Sequence, residues 1–539
     1  MTIGSPHERR TRETKMEENM LGRRVALGAT AGLMTAALIR PREARASKAV
    51  NVVLESEVTI LDPHFITAAI TRTFGLHIFD MLYAMDSKGA IQPQMVQAHQ
   101  VSSDRLRWDF RLREGLKWHD GTPVTATDCV ASLTRWMPRD ALGRALRNAH
   151  ERIEARDTRS FTIHLKEPFP LMLQVLGKPN APLPVMMPEK LARIPGDQRI
   201  TEPLGSGPFR FRADLWRPGS LMVLERNPDY VPRREAPDFL AGGKDVKIDQ
   251  LLLRVMPDQA TGATALMAGE IDYQQYLPFD LLARLERARG VKLMSFGGVE
   301  QFQGNFRLNH AAPPFDDPAI RKVLWKLVDQ NAVLTAIGVP PQHRAPQCPS
   351  FWMCGAPLTT DVGAAGAGLD IEAAKAELRA TSYRGQPVII LEVGGSISQT
   401  AAMVLAHNMR QAGFTVDEQV MDWGTVLARR ARRDNWSMFS VYSNGTDMLS
   451  PLTHFYVAST CADFPGWSCD NAVPPMLQAF ARAEDDASRK RIAAELQEAM
   501  YRLTPNVMWG QFSIPAGYRT TLKNMIESAY PMFWQVEKT

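Results

Sequence analysis

Cysteine is scarce in this chain, five residues in 539, so a dense disulfide scaffold does not hold it together. Histidine is scarce too, at eleven, and no H-E-x-x-H pair occurs. No G-x-S-x-G elbow or P-loop is present either, which removes the commonest signatures of zinc hydrolysis, serine acyl transfer and nucleotide binding. No apolar run reaches the roughly 18 residues of a membrane span. No period of about 20–50 residues marks a solenoid. Charge of one sign is thin as well. The net charge is +5, and residues 1–46 hold nine Lys/Arg against five Asp/Glu, which leaves about +1 for the rest. A nucleic-acid binder needs a concentrated basic face on its body, so no nucleic-acid partner is expected.

What is present is ordinary globular composition, 45% hydrophobic and 22% charged. The length exceeds what one hydrophobic core supports, so several units are expected. Residues 1–46 look like an export address. Arg23-Arg24 precedes the apolar stretch Val25 to Ile39, about 22 Å of helix and too short to span a bilayer. Ala44-Arg45-Ala46 supplies small residues where a signal peptidase reads. Paired arginines before a mild Gly/Ala-rich stretch suggest the twin-arginine type. The alternatives are an amphipathic anchor or a poorly ordered tail. The expected location is periplasmic, after cleavage, with the mature protein not membrane-embedded. The first cysteine is Cys129, so no lipidated cysteine follows the cleavage site.

Cysteine spacing suits that compartment. Cys348 with Cys354, and Cys461 with Cys469, are placed to close small disulfide loops. The rival is a metal site, but neither pair has C-x2-C spacing or a tight cysteine–histidine cluster. Cys129 is left as a small core residue.

Periodicity indicates mixed α/β structure. Leu106, Trp108, Phe110 and Leu112 alternate with Arg107, Asp109 and Arg111, as on a half-buried strand. Phe161, Ile163 and Leu165 repeat the pattern and turn His164 toward solvent. Thr125 with Asp128 resembles a capping box. Asp258 caps a helix stopped near Gly269, followed by a strand at Ile271 to Tyr273. Asp317-Pro318 opens a helix carrying Ile320, Val323, Leu324, Leu327 and Val328 on one face. Further helices are expected from Asp370, up to Gly413, and around Ile492 to Leu503.

Catalytic candidates are weak. Gly205-Ser206-Gly207-Pro208 leads into an apparent strand, where a phosphate cradle needs a helix, so a tight turn is the expectation. In Trp118-His119-Asp120-Gly121 the His and Asp are adjacent, and adjacent side chains seldom face each other; Asp-Gly is foremost a turn signal. Arg429, Arg430, Arg432 and Arg433 form a basic run without interleaved aromatics, expected to be a solvated helix face.

Several stretches taken in order resemble the extracytoplasmic solute-binding protein family 5, the dipeptide- and oligopeptide-binding proteins of ABC importers. They are Leu61-Asp62-Pro63-His64, Phe110 through Trp118-His119-Asp120-Gly121-Thr122-Pro123, Leu204 to Phe209, Leu224-Glu225-Arg226-Asn227-Pro228-Asp229-Tyr230, Gly269-Glu270-Ile271-Asp272, and Pro314-Phe315-Asp316-Asp317. They run colinearly through nearly the whole chain after residue 46. The resemblance implies a two-lobed periplasmic-binding-protein fold of type II, α/β, with mixed sheets, a hinge and the extra subdomain of peptide binders. It places lobe 1 at 47–85, 203–297 and 510–539, the extra subdomain at 86–202 and lobe 2 at 298–509. The hinge falls near Gly297-Gly298 to Asn305 and near Trp509-Gly510-Gln511. It further implies a peptide or other small-molecule ligand, an ABC permease with its ATPase subunits as partners, a monomer, no enzymatic activity, and no cofactor or metal.

The family's ligand contacts carry over only in part. Trp423 matches a pocket-lining tryptophan, with core packing as the alternative. Tyr442-Ser443-Asn444-Gly445-Thr446-Asp447-Met448-Leu449-Ser450-Pro451 resembles the family's W-x-x-D-x-x-D-P loop, whose first Asp takes a peptide's α-ammonium. Counted back from Pro451 that place falls on Asp447; counted forward from Tyr442 it falls on Gly445; Ser450 replaces the second Asp. An Asp in a surface turn is the plain alternative. Thr67 and Ala68 lie where the first lobe touches ligand backbone. Where dipeptide binders carry an Arg and a Tyr for the ligand carboxylate, this chain has Glu392-Val393-Gly394-Gly395. A carboxylate there would repel another, which leaves open a longer peptide, a cationic compound or another solute. Two other functions remain in view. One is an exported hydrolase or metalloenzyme with a dispersed site; the other is a periplasmic peptide sensor or chaperone uncoupled from import.

Overall fold

The computed structural model describes residues 48–345, 347–458 and 464–539. Three sheets organise them. A seven-stranded sheet runs in the order Val291–Met294, Ala516–Arg519, Tyr273–Gln274, Ala49–Val53, Gln250–Arg254, Leu221–Arg226, Phe209–Phe211. Ala49–Val53 is parallel to both its neighbours, and the other pairs are antiparallel. A five-stranded sheet runs Val416–Met421, Val388–Val393, Met438–Asn444, Phe302–Leu308, Asn506–Phe512. A four-stranded antiparallel sheet is built from Val96–Val101, Arg107–Leu112, Ser160–Leu165 and His150–Ala155. The architecture is mixed α/β, with helices set against one mixed seven-stranded sheet, one mixed five-stranded sheet and one antiparallel sheet.

The strands follow from their side chains. In Arg107–Leu112, Phe110 and Leu112 are buried while Arg107 and Arg111 are exposed. Across from it Phe161 stacks on Phe110 with ring centres 5.0 Å apart. His164 lies on the outer face, part-buried and paired with Glu154 at 3.0 Å. Helix starts obey their caps. Thr125 and Asp128 form the capping box of Ala126–Trp136, and Asp258 accepts from Thr261 N to open Gln259–Ala268, which Gly269 ends at φ 82°. Two expectations need correction. The strand after Gly269 is Tyr273–Gln274, two residues late. The helix opened by Asp317 and Pro318 ends at Val323 and tightens into a 3-10 turn at Leu324–Lys326, because Asp329 caps a new helix, Gln330–Ile337. The apolar stripe Ile320 to Val328 is buried all the same.

Between the seven- and five-stranded sheets the chain crosses twice, from Met294 to Phe302 and from Phe512 to Ala516. The crossing strands Phe302–Leu308 and Asn506–Phe512 are buried along their whole length and pair with each other. Gly304 faces Gly510 across that pairing, and a Cβ on Gly304 would lie 2.1 Å from the Trp509 ring. The glycine therefore lets the indole cover the crossing.

The stretches that carry the resemblance turn out to be joints of this scaffold. Asp62 takes Arg135 in a two-pronged pair, Nη2 to Oδ2 at 2.7 Å and Nη1 to Oδ1 at 3.1 Å, and also accepts from the backbone N–H groups of His64 and Ile200. His119 lies against the Gly205–Gly207 turn: its backbone N donates to Gly205 O, and its Nε2 meets Gly207 O at 3.1 Å. Burial lowers the His119 pKa to about 4. Asp120 meanwhile accepts from Thr122 N and Oγ1, so the pair does not act together. Asn227 Nδ2 donates to Gly207 O, and Tyr230 OH donates to Asp80, which also holds the buried Lys244 at 2.9 Å. Gly207 N donates to Ile78 O, closing the turn onto the end of the helix Ala69–Ile78.

Cys348 and Cys354 form a disulfide, and Cys129 is a free, buried thiol. Cys461, the expected partner of Cys469, lies outside the described residues.

Two stability predictions follow from these joints. A Cβ at position 205 would lie 1.9 Å from Ile78 O, against backbone that has nowhere to move. Gly205→Ala is expected to cost about 3 kcal/mol or more in urea unfolding, in the range of the severe backbone and packing lesions. Opening the six-residue Cys348–Cys354 loop by a paired Cys→Ser change is expected to cost about 2 kcal/mol in the same assay, by the chain-entropy estimate.

Candidate functional site

The two sheet-bearing halves meet around Asp447. Asp447 sits in the 3-10 turn Gly445–Met448 that ends the strand Met438–Asn444. Asn444 builds that turn, its Oδ1 accepting from Thr446 N at 3.1 Å and Thr446 Oγ1 at 2.6 Å. Gly445 N donates to Gln301 O at 2.7 Å, and a Cβ there would lie 2.5 Å from Met353 Cε. Gly445 is therefore a close-packing position with no room for a side chain.

From the opposite half comes Arg72, on the helix Ala69–Ile78. Its Nη1 donates to Asp447 Oδ1 at 2.9 Å and Oδ2 at 3.1 Å, with both side chains buried. Asn180 Nδ2 donates to Asp447 Oδ1 at 2.8 Å and to Thr446 O at 2.6 Å. The Tyr530 ring lies 4.3 Å from the Arg72 guanidinium, and its hydroxyl is 2.5 Å from Thr446 Oγ1. Beside them Ser528 Oγ donates to Glu300 Oε1 at 2.6 Å. Glu55 follows the strand Ala49–Val53 and is anchored by its backbone N to Gln275 Oε1 at 3.0 Å. Burial raises the pKa of its carboxyl, and the Tyr276 hydroxyl acts in the opposite direction. The Tyr276 ring packs edge-on against Phe302, and Phe302 against Tyr442, at 5.6 and 5.4 Å. The junction is thus a buried polar cluster ringed by tyrosines, with an ion pair across it.

Of the residues singled out from sequence, Tyr442, Asn444, Gly445 and Asp447 come together here. Asp447 is deeply buried and paired, so the plain surface-turn alternative fails. Ala68 lies one helical turn before Arg72, whose N donates to Ala68 O, while Thr67 beside it is exposed. Trp423 belongs to another cluster. It opens the helix Trp423–Arg430, is 43% exposed, and has the Arg430 guanidinium 5.2 Å from its ring. Core packing is excluded for Trp423. The basic run is also corrected: Arg430 packs against Phe439 and Phe464 as well, and Arg433 lies over Trp467, so these arginines meet aromatic rings that are distant in sequence. Glu392 is buried between its sheet and the helix Ile397–Ala412, on the face shared with Val388 and Ile390. Burial first, and the carboxyl of Glu418 second, push its pKa up to about 7.

Sequence reasoning missed Arg72, Asn180, Glu55, Tyr276 and Tyr530. Arg72 left a trace. Between Phe65 and Phe79 it is the only Lys, Arg, Asp or Glu, on a helix buried on all sides. A lone cation in such a stretch needs a buried partner from elsewhere. Asn180 and Tyr530 left none, since single polar residues in loops look alike.

Among the described residues, no group of three or more His, Cys, Asp or Glu is placed to hold a metal ion, and no helix is long and apolar enough to cross a membrane.

Removing one partner of the junction ion pair strands the other charge unless the halves part and water returns. Asp447→Asn is therefore expected to enlarge the radius of gyration of the ligand-free protein in solution scattering; unchanged curves would refute the bridging role. Glu392 gives a pH test. Its proton is held more tightly in the folded state than in the unfolded chain, so its contribution is full below its ordinary pKa of 4.5 and lost as pH rises through about 7. Glu392→Gln is expected to raise the melting temperature over wild type more at pH 8 than at pH 5.

The chain matches the family described as bacterial extracellular solute-binding proteins, family 5, over residues 90–466. It is 35% identical over 529 residues to a probable peptide ABC transporter periplasmic-binding protein of Sinorhizobium fredii, covering 96% of this chain and 98% of that one. In fold it resembles the Agrobacterium tumefaciens R10 binding protein MoaA solved with mannopinic acid, at TM-score 0.77 and 19% identity, over 92% of this chain and 100% of that one. It also resembles the Helicobacter pylori binding protein DppA solved with the peptide STSA, at TM-score 0.73 and 18% identity, over 91% and 98%. With its motifs acting as scaffold joints and its polar cluster set between two sheet-bearing halves, this chain belongs to family 5 of the bacterial extracellular solute-binding proteins.

Proposed function

We propose that the protein is the periplasmic solute-binding component of an ABC importer, capturing a peptide or a related small solute between its halves and presenting it to a permease with its ATPase subunits. The observation that carries this is the junction itself: a buried polar cluster centred on Asp447, contributed by both halves, where the chain crosses only twice between the main sheets. Two short crossings allow rigid halves to rotate, and closure removes water from whatever lies between them. A ligand with higher affinity for the closed form shifts that balance, and a permease reads occupancy as shape. No covalent step is needed.

On this reading lobe 1 is 47–85, 203–297 and 510–539, the extra subdomain is 86–202 and lobe 2 is 298–509. Tyr442 and Asp447 face the ligand space, with Asn444 and Gly445 shaping their turn; Ala68 and Thr67 border it from lobe 1, and Trp423 with Arg430 offers a flat cationic surface on lobe 2. Residues 1–46 act as a cleaved twin-arginine export signal, and the protein works as a monomer without cofactor. The ligands named for the relatives, a peptide and the opine mannopinic acid, suggest the range: amino-acid-derived solutes with both amine and carboxylate groups.

A thermal-shift screen of the mature protein against di- to pentapeptides and opines tests this. A true ligand at one hundred times its Kd stabilises by about 2.7 kcal/mol, which reads as a clear rise in melting temperature. The same ligand should shrink the radius of gyration and be recovered unchanged. No stabilisation by any compound, or recovery of an altered one, would refute the proposal.

A further inference from the structure

The ring closed by Cys348 and Cys354 sits against both crossings between the main sheets. On the strand Asn506–Phe512, the Gln511 amide takes Cys354 from two sides. Cys354 N donates to its Oε1 at 2.9 Å, and its Nε2 donates to Cys354 O at 3.1 Å. The same Nε2 donates to Gln301 Oε1 at 2.8 Å, just ahead of the strand Phe302–Leu308. Within that strand Gln303 Nε2 donates to Ser350 O at 3.0 Å. The other end of the ring is fixed to the helix Gln330–Ile337, where Cys348 N donates to Gln330 Oε1 at 2.7 Å and Gln330 Nε2 donates to Cys348 O at 2.9 Å. That helix packs into the core of the five-stranded sheet through Val333 and Leu334. One residue before its closure the ring carries Met353 at φ 66°, a left-handed conformation that a residue with a side chain holds only when its surroundings fix it. The Met353 methyl lies against Gly445, in the turn of Asp447.

The core changes sides within a few residues at each crossing. Phe296 belongs to the core of the seven-stranded sheet, whereas Val299 packs beside Met353. Between them a Cβ on Gly297 or Gly298 would meet nothing within 4 Å. At the return crossing Ser513 N donates to His343 O at 2.8 Å, and Ile514 is packed in the five-stranded core. One residue on, Pro515 O accepts from Leu277 N at 2.9 Å, and Ala516 is packed in the seven-stranded core. The glycines inside the paired strands have no such freedom: Gly304 lies under Trp509 and Gly510 under Leu334.

We propose that the Cys348–Cys354 ring is a clamp that holds both crossing strands and the Asp447 turn to one half, so that the halves rotate about Gly297-Gly298 and Ile514-Pro515 and not within the strands. This rests on the lobe motion proposed above and narrows the hinge expected from the resemblance, which included Asn305 and Trp509 to Gln511. Gln301, Gln303 and Gln511 act as positioning residues: through the ring they fix the turn that carries Asp447.

Hydrogen–deuterium exchange of the ligand-free mature protein, well below its melting temperature, tests this. A staple that only restricts the unfolded chain raises exchange throughout when it is removed, because every protected amide then opens more often. A clamp acts locally. In the paired Cys348→Ser, Cys354→Ser protein, the rise in exchange at 301–304 and 443–448 is expected to exceed by about tenfold the rise in the inner strand Gln250–Arg254 of the seven-stranded sheet. Gln511→Leu, with the ring intact, should give the same local rise, which covers the case that the double variant folds poorly. In Asp447→Asn, whose halves are expected to part, new exchange is expected at 297–300 and 514–516, with Gln303 and Gln511 still protected. An equal rise everywhere in the ring and Gln511 variants overturns the clamp. So does Asp447→Asn exchange that stays at the wild-type level at 297–300 and 514–516, or that spreads over 302–308 and 506–512. No cargo enters the measurement, so the clamp can fail while the binding function stands, and a ligand screen that finds nothing counts against the binding function alone.

Discussion

A charge taken out of water must find its opposite, and in this protein that requirement ties the two halves together. The helix Ala69–Ile78 is buried on every side, yet it carries Arg72. The guanidinium is tolerated because Asp447 arrives from the other sheet with both oxygens within 3.1 Å, supported by Asn180 and the Tyr530 ring. The same logic recurs within one half at Arg135–Asp62 and Lys244–Asp80, also fully enclosed. Neither of those pairs draws a residue from the five-stranded sheet or the turn that carries Asp447. The Arg72–Asp447 pair joins elements that a binding protein must be able to part, so its strength bears on how readily the halves open.

Much of the scaffold was legible in the sequence because it obeys local rules. Phe110 and Leu112 alternate with arginines, Thr125 and Asp128 cap one another, and Gly269 and Gly413 end helices in left-handed conformation. These signals depend on neighbours a few residues apart. The helix beginning at Pro318 was over-extended for the same reason: its apolar stripe continues beyond Val323, and periodicity does not reveal that Asp329 starts a new helix.

The site was legible only in part. The loop around Asp447 was found through its family pattern, but its charge partner lies 375 residues earlier. Glu55 N donates to Gln275 Oε1 although the two are 220 positions apart, and nothing near either announces the other. The motifs that identified the family, Leu61 to His64, Trp118 to Pro123 and Asn227 to Tyr230, hold the scaffold's joints and stand apart from the Asp447 cluster. Family membership is therefore written in residues other than those of the Asp447 cluster, which is why the first was read easily and the second was not.

The buried thiol of Cys129 has a practical side. Cys348 and Cys354 are locked to each other, and Cys469 is also oxidised, so no exposed free sulfhydryl occurs among the described residues. A single cysteine engineered beside the exposed Trp423 would then be the natural attachment point for an environment-sensitive fluorophore, and the protein could be turned into an optical reporter of its own cargo without first deleting native cysteines.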